Sequence, residues 1–498
     1  MTRLRFALIF ILASVPLGAA AHQPLPLKDW IRAPAFRNVT ISPDGKYLAV
    51  VSALKGATNR YQLAILPTRS VLEKRPRVTA HYSLKDYRLF AGVFWINDKR
   101  IAAPTAFKRG GFDRPSLTGQ LFAINVDGSQ QKELMGQSNG FYFGGLLYRL
   151  PQNPRAILVY GLAGHNNKAV AYWLDTYTGR MHSVAQSPIA NGGLLADHNG
   201  DVRLAWGINN KTGWPALYYR AAGSMNWQNE TQLIMSKRAA VASLSTGGPI
   251  MFGPNNKNVY VEYWTNNPAE TMGLYSYNFA TGKKKLLYAN PTVNIGSILE
   301  SFDRKSIVGL YIEPDKPEAL ALKPKSQRIQ LLAALSRSLP NVQVNITSWT
   351  QGGTKAIVET WGDTTSGMYY LYSSKPKPAL TPLFQEMPWI RSGDLSPMRP
   401  ISYRSRDGLT ILCLVTARHG EVAMNRNMVV YVHGGPHGIR TDWGFDPTDF
   451  DSVATQILAN HGYAVLALNY RGSGGYGLKF MAAGFHHWGN TMQNDLAD

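Results

Sequence analysis

A turn-then-strand unit recurs seven times along this chain at a spacing of about 52 residues, and that spacing limits what the chain can fold into. Each unit is a polar turn bearing Asp, Asn, Gly or Lys, followed by a β-rich run. The first four turns are Ser42-Pro43-Asp44-Gly45-Lys46 before YLAVV, Asn97-Asp98-Lys99-Arg100 before IAAP, Gln152-Asn153-Pro154-Arg155 before AILVYG, and Asp197-His198-Asn199-Gly200 before DVRLAWG. Pro254-Asn255-Asn256-Lys257 before NVYVEYW, Asp303-Arg304-Lys305 before SIVGLYI and Gly353-Thr354-Lys355 before AIVETW complete the set. A second marker, a strand then Asp-Gly or Thr-Gly then a strand, keeps the same step. Gly128 and Gly179 are 51 residues apart, and Gly179 and Gly282 are 103 apart. Short strands and Gly-bearing turns at a period near 50 are the pattern of a β-propeller, whose four-stranded blades bury their faces only against neighbouring blades. The expectation is an all-β propeller of seven blades over residues 22–397, with eight blades as the alternative count and a pair of β-sandwiches as the bland one.

The pattern changes near Pro397. Residues 399–404 and 410–417 flank Asp407-Gly408 as two strands and a turn. Residues 427–432 (NMVVYV) form a continuous apolar run of the kind buried on both faces of a sheet, ending in His433-Gly434-Gly435-Pro436-His437. Residues 451–460 read as an amphipathic helix with Val453, Ala454, Ile457 and Leu458 on its apolar face. Residues 463–468 (YAVLAL) form another buried strand, leading into Asn469-Tyr470-Arg471-Gly472-Ser473-Gly474-Gly475-Tyr476-Gly477. Strand, Gly-rich loop, helix, strand, Gly-rich loop is an α/β layer pattern.

Arg3 and Arg5 precede an apolar run over 6–15 and then Ala19-Ala20-Ala21, the layout of a secretory signal peptide cleaved after Ala21. The run is shorter than the ~20 residues a membrane span needs, so an exported, periplasmic or extracellular product without an integral span is expected. The single cysteine, Cys413, excludes a disulfide scaffold and lies in the apolar run 411–415, as a buried inert thiol would. The formal charge of +21 is scattered along the chain. Its densest run, Lys283-Lys284-Lys285, follows a hairpin turn at Thr281-Gly282, which argues against a nucleic-acid surface. Adjacent His486 and His487 point about 100° apart on a helix and make no metal site, and no Walker or dinucleotide motif occurs, so neither a metal nor a cofactor is expected. Asp495, on the final helix, reads as a surface or capping residue.

The motifs YVHGGPH (431–437), LNYRGSGGYG (468–477) and WGNTMQNDLAD (488–498), with SPDGKYLAV (42–50) upstream, resemble the prolyl oligopeptidase family of serine peptidases. The likeness is to the acylaminoacyl-peptidase and dipeptidyl-peptidase-like bacterial members. The resemblance implies a propeller followed by the N-terminal part of an α/β-hydrolase domain at 398–498. It also implies hydrolysis of oligopeptides by acyl-enzyme chemistry, with the propeller gating access. The loop His433-Gly434-Gly435-Pro436 would supply an oxyanion donor, the Gly434 or the Gly435 amide, with His433 shaping the loop. Asn469, Tyr470, Arg471, Gly472 and Ser473 would support the active site. Ser473 itself is not expected to be a nucleophile, because Arg471 stands where G-x-S-x-G needs glycine, and His433 is not expected to be the base.

In the family the nucleophilic serine, the acid and the histidine follow the last motif seen here, so the 498 residues are expected to lack the triad and to be inactive alone. The sole G-x-S-x-G match, at Gly136-Gln137-Ser138-Asn139-Gly140, lies in propeller-like sequence and is not expected to be catalytic. The chain would then need a complementing C-terminal chain or a homo-oligomer to cover its sheet. The alternative is a non-catalytic propeller that binds peptides or a partner, from a split or decayed peptidase gene.

Overall fold

The computed structural model describes residues 23–54, 60–84, 88–108, 115–137, 140–141, 143–162, 167–233, 247–418, 427–435 and 437–498. Residues 1–21, expected from sequence to be a signal peptide, and Ser138 and Pro436 lie outside the described residues. Seven antiparallel sheets built of consecutive strands occupy 36–83, 88–135, 143–190, 193–229, 248–288, 295–321 and 343–385 in turn. Each packs on its neighbours through a separate apolar cluster, and the first sheet meets the seventh: Val39, Ile41, Leu48 and Val50 bury against Ile357, Tyr369 and Leu371. The ring is therefore a seven-bladed propeller.

The repeated turn has one local cause. A side-chain oxygen of Asp44, Asn97, Asn153, Asp197, Asn255 or Asp303 accepts the backbone N–H two residues on, at 2.8–3.1 Å. An Asx turn of this kind needs only a short side-chain carbonyl or carboxylate, which is why the repeat survives as Asp or Asn within an otherwise variable sequence. In the seventh unit Thr350 Oγ1 accepts from Lys355 N instead, at 3.0 Å. The turns also bond to one another around the ring. Asn97 Nδ2 donates to Pro154 O, Gln152 Nε2 to Asn199 O, His198 N to Asn256 Oδ1 and Gln351 N to Pro43 O.

Two blades depart from the uniform pattern. In the second, the innermost strand is broken into Arg88–Phe90 and Phe94–Asn97, both pairing with Arg100–Phe107. Pro104, which has no N–H to give, stands at the break in the partner strand. The sixth has three strands, and the helix Gln327–Ser338 follows them. That helix buries Ile329, Leu332 and Leu335 in the core shared with the seventh sheet. Lys283, Lys284 and Lys285 open the outermost strand of the fifth sheet, just after the turn.

The seam between the first and seventh sheets carries a polar cluster. Tyr369 donates to Glu359 Oε1 at 2.9 Å, and Glu386 lies beside both. Burial first, and the neighbouring Glu359 charge second, push Glu386 up to about 8, with Arg37 of the first sheet and Asp446 also acting on it.

After the ring, Met398–Arg404, Thr410–Thr416, Ala464–Asn469 and Met428–Val432 form a mixed sheet in that spatial order, the last two parallel. Ala464–Asn469 is central and buried, as its apolar run implies. Met428–Val432 is not buried on both faces. It is the edge strand, with Met428, Val430 and Val432 exposed by 51%, 46% and 43%. The helix Phe450–Asn460 also differs from its expected apolar face: beside Val453 and Ala459 it buries Thr455, Gln456 and Asn460. The reason is what it packs on. Gln456 bonds both the N–H and C=O of Ser396, and Asn460 bonds Asp394 O and Leu25 N. These are backbone groups of the segments entering and leaving the ring, which require polar partners once buried. Among the described residues no helix is long and apolar enough to cross a membrane.

Candidate active-site loops

The loop after Met428–Val432 has a buried root and an exposed tip. His433 is 2% exposed, whereas Gly434 and Gly435 are open. His433 is held on every side. Its Nδ1 lies 2.7 Å from Gly434 O, its Nε2 lies 2.8 Å from Ser473 Oγ, and its ring stacks on Tyr470 at 4.5 Å. Tyr470 in turn donates to His433 O at 2.9 Å. A carbonyl can only accept, so Nδ1 carries the proton and Nε2 accepts from the Ser473 hydroxyl. Burial lowers the His433 pKa, which keeps the ring neutral.

At the tip, Gly435 adopts φ +132°, a conformation that side chains disfavour, and a Cβ at Gly434 would meet open space. Among the described residues neither amide donates a hydrogen bond. Two exposed N–H groups without a partner among the described residues thus stand on a root fixed by His433.

The second Gly-rich loop lies against the first. Gly438 N donates to Gly472 O at 3.2 Å and Gly474 N to Ile439 O at 2.9 Å. A side chain at Gly474 would collide with the Gly438 carbonyl. Asn469 fixes the return segment through both the N–H and C=O of Thr441 and also bonds Tyr476. Arg471 points away from the tip. Its guanidinium bonds both oxygens of Asp495 and both of Asp407, and its backbone N–H bonds Asp495 as well. Hydrogen bonding to Arg471 holds the Asp407 carboxyl well below the usual range.

Asp495 is therefore neither a surface nor a capping residue: it is fully buried and ion-paired, because Arg471 needs an internal anion. Ser473, in contact with an imidazole, is fully buried too, so no substrate carbonyl can reach its hydroxyl. Cys413 is buried, its thiol pushed up to about 12 by desolvation. His486 and His487 sit in the turn before the last helix, and no metal-binding cluster occurs among the described residues.

Sequence reasoning missed the groups that join the two regions. Arg440 pairs with Glu313 of the ring at 2.9 Å and with Asp442 at 2.6 Å, and Trp443 N bonds Glu313 as well. Gly475 O accepts from Asn294 of the ring, and Leu478 N donates to Glu270 O. The second half of the Gly-rich stretch is thus where the ring meets the sheet. Between them lies a narrow gap lined in part by Glu313, Cys413, Arg440, Asn469 and Tyr476. The one hint in sequence was a lone arginine, Arg440, close behind a Gly-rich motif.

A seven-bladed ring with a mixed sheet docked on it through Gly-rich loops is the fold of propeller-bearing peptidases. Prolyl oligopeptidase B from Galerina marginata superposes over 94% of this chain and 67% of its own, with a TM-score of 0.59 at 13% identity. The acylaminoacyl peptidase of Pyrococcus horikoshii does so over 93% and 70%, with a TM-score of 0.54 at 13% identity. In sequence, dipeptidyl aminopeptidase BIII of Pseudoxanthomonas mexicana is 25% identical over 479 residues, 93% of this chain and 63% of that protein. Residues 448–498 match the model of the prolyl oligopeptidase family, and the rest of the chain is similar to proteins of that kind. It spans less than two thirds of the length of the curated relatives it matches.

Proposed function

We propose that this chain is the propeller and oxyanion-loop portion of an exported serine peptidase acting on oligopeptides. The observation that carries the reading is the tip of the 433–435 loop, where the Gly434 and Gly435 amides stand free and exposed on a clamped root. An acyl-transfer intermediate carries its negative charge on one oxygen, and one preorganised donor to it contributes roughly 3–4 kcal/mol. His433, Tyr470 and Ser473 serve this pair by fixing its position, and Arg471 holds the neighbouring loop through Asp407 and Asp495. The ring stands over the gap and limits what reaches it.

The nucleophile, acid and base belong, by resemblance, to the part of the relatives that this chain does not span, so the 498 residues alone would not turn over peptides. Export rests on the sequence of residues 1–21. A further strand, from a complementing C-terminal chain or a second copy, would cover the exposed edge at Met428–Val432.

Fluorophosphonate labelling of the natively exported protein, read on a denaturing gel, tests the reading. The expected result is a labelled band well above 55.1 kDa. An unlabelled band near the size of this chain would overturn it in favour of a non-catalytic propeller that binds peptides or a partner.

A further inference from the structure

The axis of the ring holds more positive charge than the protein neutralises. Arg149 ends the innermost strand of the third sheet, while Glu300 ends that of the sixth and Arg304 sits in the sixth turn. Two sheets lie between them one way round the ring and three the other, yet Arg304 and Glu300 both act electrostatically on Arg149, and Glu300 acts on Tyr148. The ends of these two innermost strands therefore face one another across the axis.

Arg304 is 3.5 Å from Glu300 and keeps 40% of its side chain open to solvent. It lies 4.0 Å over Trp349, which Arg328 also meets at 4.4 Å. Arg328 is spent on backbone, bonding Glu300 O and Ile346 O, and Trp349 is fixed by Phe302 O. The other nearby carboxylate, Asp197, is already paired with Arg203 at 3.1 Å. Arg149 leans on the Phe94 ring and, among the described residues, has no hydrogen-bond or ion-pair partner. Burial lowers it to about 9, which still leaves it charged at neutral pH. With Arg328 spent on backbone, Arg149 and Arg304 have only the Glu300 carboxylate between them, and it is paired with Arg304. A guanidinium presents its donors as a planar fork that matches carboxylate and phosphate oxygens.

We infer that the axial pore of the propeller is an oxyanion-binding site, in which Arg149 and Arg304 take a carboxylate or phosphate group. Glu300 competes with the ligand for Arg304. Two sources share this chemistry, the C-terminal carboxylate of a peptide and a small free anion. The site requires no hydrolysis, so it stands whether or not the peptidase reading does.

Isothermal titration calorimetry at low salt decides the matter, with three probes: inorganic phosphate, a pentapeptide with a free C-terminus, and the same peptide amidated. At least one anionic probe is expected to bind, and the amidated peptide is not. Arg149→Gln should weaken binding about tenfold, the loss expected for one charged hydrogen-bonding group. Glu300→Gln should tighten it severalfold, an opposite sign that damage to the fold would not give. Should Arg149→Gln not fold, affinity of the wild type that falls as salt rises serves in its place. Binding of the free-carboxylate peptide alone assigns a peptide end, and binding of phosphate alone a small anion. Failure of both anionic probes, equal binding of the amidated peptide, or unchanged affinity in Arg149→Gln would overturn the site.

Discussion

The ring and the mixed sheet end in opposite ways. The outermost strand of the fifth blade exposes Lys283, Lys284 and Lys285, and a charged edge resists further strand pairing. The mixed sheet ends on Met428–Val432, which turns Met428, Val430 and Val432 to solvent. They also differ in what holds them. Each blade is a run of consecutive hairpins whose turns close on themselves. The mixed sheet depends on bonds that reach far along the chain, such as Arg471 to Asp407, 64 residues away, and to Asp495, 24 away. A structure assembled from local units tolerates the loss of one contact, whereas one built on a few buried charges does not.

Arg471→Ala should have the largest effect, because it leaves Asp495 buried without its cation. The expected cost is about 3–5 kcal/mol, confined to residues 398–498. Hydrogen exchange along a denaturant series would show those amides opening first while the ring stays protected. Simultaneous loss of protection in the ring would mean that the two regions are one cooperative unit, and the contrast would collapse.

The seam of the ring should show the next effect, as a function of pH. Glu386 titrates near 8 in the folded chain against about 4.5 when free, so the folded state holds a proton that the unfolded state has released. Stability is therefore unaffected by this group below pH 4.5, falls as pH rises from there to 8, and levels off above. Glu386→Gln should flatten that fall and raise the melting midpoint at pH 9 by about 2–4 °C, with little change at pH 4. An unchanged slope in the variant would move the origin of the pH dependence away from the seam.

The smallest effect on stability, and the most direct test of the edge, comes from Val430→Lys. It should change stability by no more than about 0.5 kcal/mol, since the side chain is already exposed. Light scattering should show clearly less self-association of the chain. Undiminished association would shift the cause from this strand to another surface.

What the sequence disclosed follows the same division. Six of the seven turns were legible because an Asx turn is satisfied within three residues. The buried strand at Ala464–Asn469 was legible because it lies in the middle of its sheet. Met428–Val432 looked alike in composition, but an apolar run does not say which strand of a sheet stands at the edge. The helix Phe450–Asn460 misled for a related reason: Gln456 and Asn460 look solvent-facing until the backbone they cap is known. The pairing of Asp495 with Arg471 gave no signal, because a buried ion pair shows itself only when both partners are placed. Glu359, within a strand, and Glu386, just past the end of another and 27 residues on, were invisible as a pair for the same reason.

The turns of the ring have a consequence for how such a chain can change over generations. Three use Asp and three use Asn, and the oxygen that closes the turn is the same in each. Exchange between the two alters charge without altering the bond. A negative charge can be added at Asn153 or Asn255, or removed at Asp44 or Asp303, with the turn kept, whereas Asp197 is tied to Arg203 and Asn97 to Pro154 O. The electrostatic preference of the pore can thus drift independently of the architecture that encloses it, and a new preference need not await a new fold.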